Sequence, residues 1–242
     1  MNSHILIPKC VLKKFVNDKQ YYFKYDIITD KITKAYPKTT NTAPDYFSPK
    51  MEKDLSEKIE RPLTQLYKYY ENFDFDCTES YLDEDTKIIA LNYARSLITR
   101  NPSFFDFTKN NAIYLQFMSE QNQHDLVVDY SMDSRICGDL FQNIDVSFII
   151  NKTQTPFILI SNGYYPFILN CEKYVHIPLS THFGIILKQK DLSDKIPLFI
   201  LNEGYDKIID NLNKVAFSTQ KKEQTGFIIS NRRECVEHFI YK

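Results

Sequence analysis

The chain has 242 residues and sets 30 Lys+Arg against 31 Asp+Glu, a net charge of −1, with 43% hydrophobic and 14% aromatic residues. This is the composition of a folded protein able to bury its own core, and it excludes a disordered tail and a wholly basic, histone-like binder. Five glycines, at positions 138, 163, 184, 204 and 226, leave no room for a Walker A or GxGxxG phosphate loop.

The elements follow in chain order. A short element over residues 5–7 precedes Pro8, which sits where a first helical residue would, and Val11, Leu12 and Phe15 share one helical face. Residues 21–27 and 31–36 read as two strands joined by a turn at Thr29-Asp30, and residues 41–44 as a loop. From Pro49 the period lengthens. Leu55, Ile59, Leu63, Leu66 and Tyr70 mark a helix face that Pro62 should kink or divide into two shorter helices. An acidic stretch over 74–85 leads into a helix over 86–100, which Asn101-Pro102 stops. Further helices are expected over 111–120 and 134–144.

After Val146 the pattern turns to strands, over 147–152, 157–161, 165–169, 174–178 and 184–188. The unalternating Phe157-Ile158-Leu159-Ile160 predicts a central strand buried on both faces. An amphipathic helix over 205–214, a strand over 227–230 and a terminal helix over 232–241 complete the chain. The expected fold is a single α+β domain: an N-terminal β-hairpin module (1–48), a helical part (49–145), and a sheet-rich part (146–242) that is mainly antiparallel with a late amphipathic helix.

Five cysteines at 10, 77, 137, 171 and 235 form no CxxC pair, which points to free thiols in a reducing compartment. No leader pattern opens the chain and no apolar run approaches the ~20 residues of a membrane span, so a cytoplasmic protein without a membrane partner is expected. No HExxH, EF-hand or GxSxG occurs, and the five histidines are scattered, so neither a metal nor a cofactor is expected.

The charge is uneven. Residues 1–38 carry eight lysines against three aspartates, with Tyr21, Tyr22 and Phe23 among them. Lys13, Lys14, Tyr21, Tyr22 and Lys24 are therefore candidate nucleic-acid contacts, the lysines for phosphates and the rings for bases. A sheet edge guarded by lysines would carry the same pattern.

His4 with the run from Ile7 through Pro8 and Leu12 to Phe15 resembles the opening of a bacterial family, the domain-of-unknown-function family 4238. Tyr25-Asp26, Asp45-Tyr46-Phe47, the helix from Leu55 to Glu60, and Arg100-Asn101-Pro102-Ser103-Phe104 resemble its next segments in order. Phe157 to Asn162, Ile177-Pro178-Leu179-Ser180, Phe217-Ser218 and Ile228 to Ser230 are similar to its later ones. Two features depart from the family pattern. The spacing from His4 to Pro8 is one residue longer, and Asn162 stands where the family's turn has an aspartate, with the following proline delayed to Pro166.

The resemblance implies an intracellular bacterial α+β protein of the kind found among accessory and phage-defence genes. It also marks where a site would lie. His4, Glu60, Ser161 and Asn162 are candidate catalytic residues, and Lys9, Arg100 and Ser180 candidate ligand contacts, with Lys9 and Arg100 suited to an anion. The expected function is a binding or effector protein recognising an anionic ligand, a nucleic acid or a partner protein. A hydrolase, most plausibly a nuclease, and a structural subunit of a complex are the alternatives.

Overall fold

A computed structural model describes residues 2–72, 84–111, 118–132, 143–189 and 199–241. The chain opens with β1 (Asn2–His4), a short helix α1 (Lys9–Leu12) continued as a 3₁₀ turn over Lys13–Phe15, then β2 (Tyr22–Asp26), β3 (Lys31–Ala35) and β4 (Thr42–Pro44). Next come α2 (Pro49–Leu55), a π turn over Ser56–Glu60, α3 (Arg61–Asn72), α4 (Glu84–Thr99), α5 (Pro102–Asn111) and α6 (Glu120–Met132). The remainder is β5 (Ile144–Asn151), β6 (Leu159–Ile160), β7 (Tyr165–Leu169), β8 (Glu172–Pro178), β9 (Phe183–Gln189), β10 (Phe199–Leu201), α7 (Asp206–Lys222), β11 (Phe227–Ser230) and α8 (Arg233–Ile240). The fold is α+β, as expected. Among the described residues no helix is long and apolar enough to cross a membrane.

The chain packs as two compact units. The first draws its described residues from Met1–Pro8, Asn41–Phe73 and Asp83–Ile144, the second from Lys9–Thr40 and Asp145–Lys242. These boundaries cut through the 1–48 module, leaving its hairpin in the second unit and its two ends in the first.

In the first unit β1 pairs antiparallel with β4. The sequence pattern puts the first short element at 5–7 and reads 41–44 as a loop. A three-residue strand that ends in proline carries no alternation to see. Ser48 caps α2, its Oγ accepting from the Met51 N–H at 3.2 Å. Around Pro62, where a kink or a division into two shorter helices is expected, a π turn separates α2 from α3, and proline brings no N–H to continue the ladder. Pro102 does end α4, but it also starts α5, in the first helical position that proline favours. Most of the helix expected over 111–120 lies outside the described residues; Asn111 ends α5, Met118 and Ser119 are not helical, and Glu120 opens α6. The helix expected over 134–144 and most of the acidic stretch lie outside the described residues.

The second unit holds two sheets, in the orders β10-β5-β9-β8-β7 and β3-β2-β11-β6. β2 pairs antiparallel with β3 and β11, β11 with β6, and β8 with β7 and β9, whereas β10 runs parallel to β5. Tyr25, Ile160, Ile228, Ile149, Tyr174 and Ile186 from the sheets share one core with Ile209, Leu212, Ala216 and Phe217 of α7. Helix α7 runs eight residues beyond the expected 205–214.

Phe157 to Ile160 are completely buried, as predicted, yet β6 is an edge strand and only two residues long. Helix α7 supplies the partners a neighbouring strand would have given. Asp206 Oδ1 accepts from the Thr155 N–H at 2.9 Å. Asn213 Oδ1 accepts from the Ile158 N–H at 3.1 Å, and its Nδ2 donates to the Pro156 carbonyl at 2.9 Å. The Ser161 hydroxyl donates to Gln220 Oε1 at 2.9 Å. Positions 206, 213 and 220 are seven apart, two helical turns or ~10.5 Å. Their partners 155, 158 and 161 are three apart, ~10 Å of extended chain. The two spacings match, so one helix face can serve the whole segment.

His176 on β8 is also wholly buried. Its Nδ1 shares a 2.6 Å hydrogen bond with the Tyr165 hydroxyl. Its Nε2 faces Gly184, where any Cβ would lie 2.4 Å from that nitrogen, so only glycine fits. Burial pulls the imidazole down to about 3 and keeps it neutral.

Two outcomes follow from this packing. Asn213→Ala strands a buried N–H and a buried carbonyl together and should cost roughly 2–5 kcal/mol, read from the urea midpoint. For His176 the unfolded chain takes up a proton near pH 6.5 and the native state does not until about 3. Stability should therefore be flat with respect to this group above 6.5, and fall by up to about 1.4 kcal/mol per pH unit below it. The comparison with His176→Leu, which lacks that slope whatever its absolute stability, isolates the effect.

Candidate functional site

Of the candidate residues, His4, Glu60 and Arg100 belong to the first unit, and Lys9, Ser161, Asn162 and Ser180 to the second. Arg100, at the end of α4, is 4% exposed and grips the backbone. Its Nε donates to the Ile5 carbonyl at 2.9 Å and its Nη2 to the His4 carbonyl. The Phe47 ring lies 5.5 Å from the guanidinium. Burial pulls this cation down from its ordinary value, and Glu60, then Tyr93, Glu52 and Tyr46, pull it back. Glu60 thus serves as a counter-charge to a structural arginine. The arginine's donors are taken up by the β1 segment, so the structure moves Arg100 from anion ligand to backbone clamp.

Beside it, Tyr46 stacks on His124 at 3.8 Å, and His124 Nδ1 lies 3.2 Å from the Tyr46 carbonyl. The space left among these rings is too small for a ligand. Among the described residues no cluster of three or more His, Cys, Asp or Glu side chains is placed to hold a metal ion.

In the second unit Ser161 and Asn162 are brought together with the end of α7. Gln220 is fully buried: besides accepting from Ser161, its Nε2 donates to Glu223 Oε2 at 3.1 Å and to the Thr225 carbonyl at 2.8 Å. Asn162 Nδ2 donates to Glu223 Oε1 at 2.6 Å. Gly226 closes the network. Its φ of +84° favours glycine, and a Cβ there would lie 2.1 Å from Ser161 Oγ. Both strand-end candidates are thereby held by α7. Ser180 Oγ accepts from the His182 N–H at 3.1 Å, a turn contact, and Lys9 is an exposed residue at the start of α1.

The hairpin candidates divide. Tyr22 is completely buried and cannot stack on a base, a correction to the sequence reading. The central part of this sheet is covered on both faces: Tyr22 and Ile229 on one, Tyr25 and Ile228 on the other. Alternation along β2 therefore gives no exposed side there. Lys24 is half-buried, 3.5 Å from the Asp26 carboxylate and 5.5 Å from the Phe227 ring. Lys13 and Lys14 are exposed on the 3₁₀ turn.

At the open end of the hairpin the cover stops. Tyr22 pairs with Ala35, which sets Tyr21 opposite Tyr36, and Phe23 pairs with Lys34. These four residues share one face. The Tyr21 ring meets Phe23 edge-on at 5.4 Å and Tyr36 at 6.4 Å, and the Lys34 ammonium stands 5.0 Å above Tyr21. Tyr36 is 52% exposed, and its carbonyl accepts from the N–H groups of Thr39 and Thr40, which fixes the backbone behind it. Tyr36 and Lys34 are absent from the contacts picked on sequence: a turn centred on Thr29-Asp30 would set Tyr21 opposite Lys38, whereas the observed register, with Asp26 opposite Lys31, centres the turn on Ile28-Thr29.

The aspartates of this hairpin face their own turn. Asp26 accepts from the Thr29 N–H at 3.0 Å and from its hydroxyl at 3.1 Å, and Asp30 accepts from the Tyr25 hydroxyl. Burial opposes the Asp26 charge, but the Thr29 donors and Lys24 hold its carboxyl below the usual range. No family model matches the chain, and neither a curated protein nor a solved structure matches it.

The Asn162–Glu223 contact has a testable consequence. Asn162→Asp sets two carboxylates against each other and raises the pKa of one. The variant should lose about 1 kcal/mol at pH 7, in full above that raised value, and recover as pH falls toward the unfolded value near 4. Urea midpoints at pH 7 and pH 4 check this; a deficit that does not shrink at pH 4 places the cause elsewhere.

Proposed function

We propose that this is a bacterial cytoplasmic nucleic-acid-binding protein that engages single strands at the open end of the β2–β3 hairpin. The observation that carries the reading is the ring cluster of Tyr21, Phe23 and Tyr36, with Tyr36 half in solvent and Lys34 over Tyr21. An exposed ring on a fixed backbone is a stacking platform for a base. Lys31, Lys34 and Lys38 are exposed along and after the outer strand, and Lys13, Lys14 and Lys19 before the inner one. With the hairpin's own aspartates drawn into its turn, these lysines leave a local positive field for phosphates. Free thiols at Cys10, Cys171 and Cys235 suit a reducing cytosol. A hydrolase reading has less to stand on, because Ser161 and Asn162 are held by Gln220 and Glu223, and Glu60 faces a structural arginine.

The full chain should bind a short single-stranded oligonucleotide at low salt in an anisotropy titration. Tyr36→Ala should weaken it about 5- to 150-fold, the ~1–3 kcal/mol of one stacked base. Replacing Lys31 and Lys34 by Gln should lower the slope of log K against log salt by about 1.4, two phosphates' worth on a single strand. No binding at low salt, or Tyr36→Ala binding as tightly as the parent, would overturn the proposal.

A further inference from the structure

Helix α7 also faces the five-stranded sheet. Ile208, Asn211, Leu212 and Val215, at steps of three and four, turn toward it. Between this face and side chains of β5, β7, β9 and β10 lies a cavity of about 390 Å³. Phe167, Phe199 and Leu201 are among its walls, and among the described residues every one that lines it but Asn211 is apolar.

The volume is informative. Native cores keep few voids larger than a water molecule, and an apolar cavity of about 150 Å³ already takes up benzene. This one is more than twice that size and falls in the range of small-molecule sites. Ordered water needs two to four polar partners, and one amide does not supply them. Four lining residues reach solvent, Ile168 at 69%, Leu169 at 42% and Ile208 at 41% exposure together with the exposed Asn211, so the cavity has a mouth that is apolar but for one amide. Among the described residues no ionisable side chain lines it, so from these walls neither a carboxylate nor an ammonium would find a counter-charge. Asn211 offers both a donor and an acceptor at the wall, and among the described residues its amide has no hydrogen-bond partner.

We propose that this cavity binds an uncharged aliphatic small molecule of about ten to fifteen carbons with one hydrogen-bonding head, such as a medium-chain alcohol or amide, scaled from the volume that holds benzene. The head lies against Asn211 and the chain between Phe167, Phe199 and Val215. This site is separate from the hairpin surface and does not rest on the nucleic-acid reading.

The test is calorimetric titration of the full chain with 1-decanol, beside decanoate and decylammonium. Expected are saturable one-to-one uptake of decanol, at least tenfold weaker uptake of both ions, and loss of binding in Val215→Phe, which fills the cavity. Leu201→Phe is the second filling variant should Val215→Phe fail to fold. Asn211→Leu should weaken decanol about fivefold, one hydrogen bond, with its thermal midpoint unchanged. No saturable uptake, equal uptake of the ions, or undiminished uptake by a folded filling variant would overturn the proposal. So would a concentration-dependent dimer dissolved by Ile168→Lys, which would make a second copy the occupant.

Discussion

A buried extended segment must find partners for its backbone, and in the second unit that demand falls on residues 155–161. Residues 156–160 are buried away from water, and β6 pairs on one side only. Helix α7 meets the demand through Asp206, Asn213 and Gln220, whose two-turn spacing equals three residues of extended chain. This register fixes where α7 lies. Its apolar positions then fall to Ile209, Leu212, Ala216 and Phe217, which join the two sheets in one core. It also fixes the hairpin, because Phe217 stacks on Tyr25 at 5.9 Å and Lys221 stands 5.2 Å over the same ring. A shift of the helix by one residue would turn all three polar side chains away from their partners by about 100°.

The first unit solves the same problem with a cation. The β1 segment is paired on one side by β4, and its His4 and Ile5 carbonyls are taken by Arg100. A buried guanidinium is costly to desolvate, and its stability depends on the opposing carboxylates and the donors it satisfies. Glu60 and Glu52 supply the charge and the carbonyls take the hydrogen bonds. In both units polar residues that invite a catalytic reading are committed to the backbone. Ser161, Asn162, Arg100 and Glu60 have partners that account for them, whereas the exposed ring of Tyr36 has no such duty.

What could be read from the sequence were the features with local cause. The hairpin over 21–36, the helix face from Leu55 to Leu66 and the late amphipathic helix all follow from periodicity or turn chemistry within a few residues. Elements set by distant pairing were hidden. β4 and β10 are three residues each and exist because β1 and β5 lie beside them. Phe157 to Ile160 looks like a central strand because an edge whose backbone is bonded by a helix is as buried as a centre. Tyr22 and Tyr21 are neighbours of one residue type, and only the packing around Ala35 and Tyr36 separates the buried ring from the half-exposed one.

The net charge of −1 acquires a different meaning once the aspartates are placed. Asp26 and Asp30 are held at the hairpin's own turn by Thr29, Lys24 and Tyr25, and Asp206 caps a distant loop by accepting from Thr155. Carboxylates engaged in this way have their fields largely satisfied at short range. Lys31 and Lys34 on β3 and Lys13 on the turn after α1 are exposed. A chain that is neutral in sum is therefore basic at one end of one hairpin, and there the aromatic cover of the core gives out. Charge and ring arrive at the same edge because one constraint produces both. The turn that consumes the aspartates is the turn that sets Tyr21 opposite Tyr36.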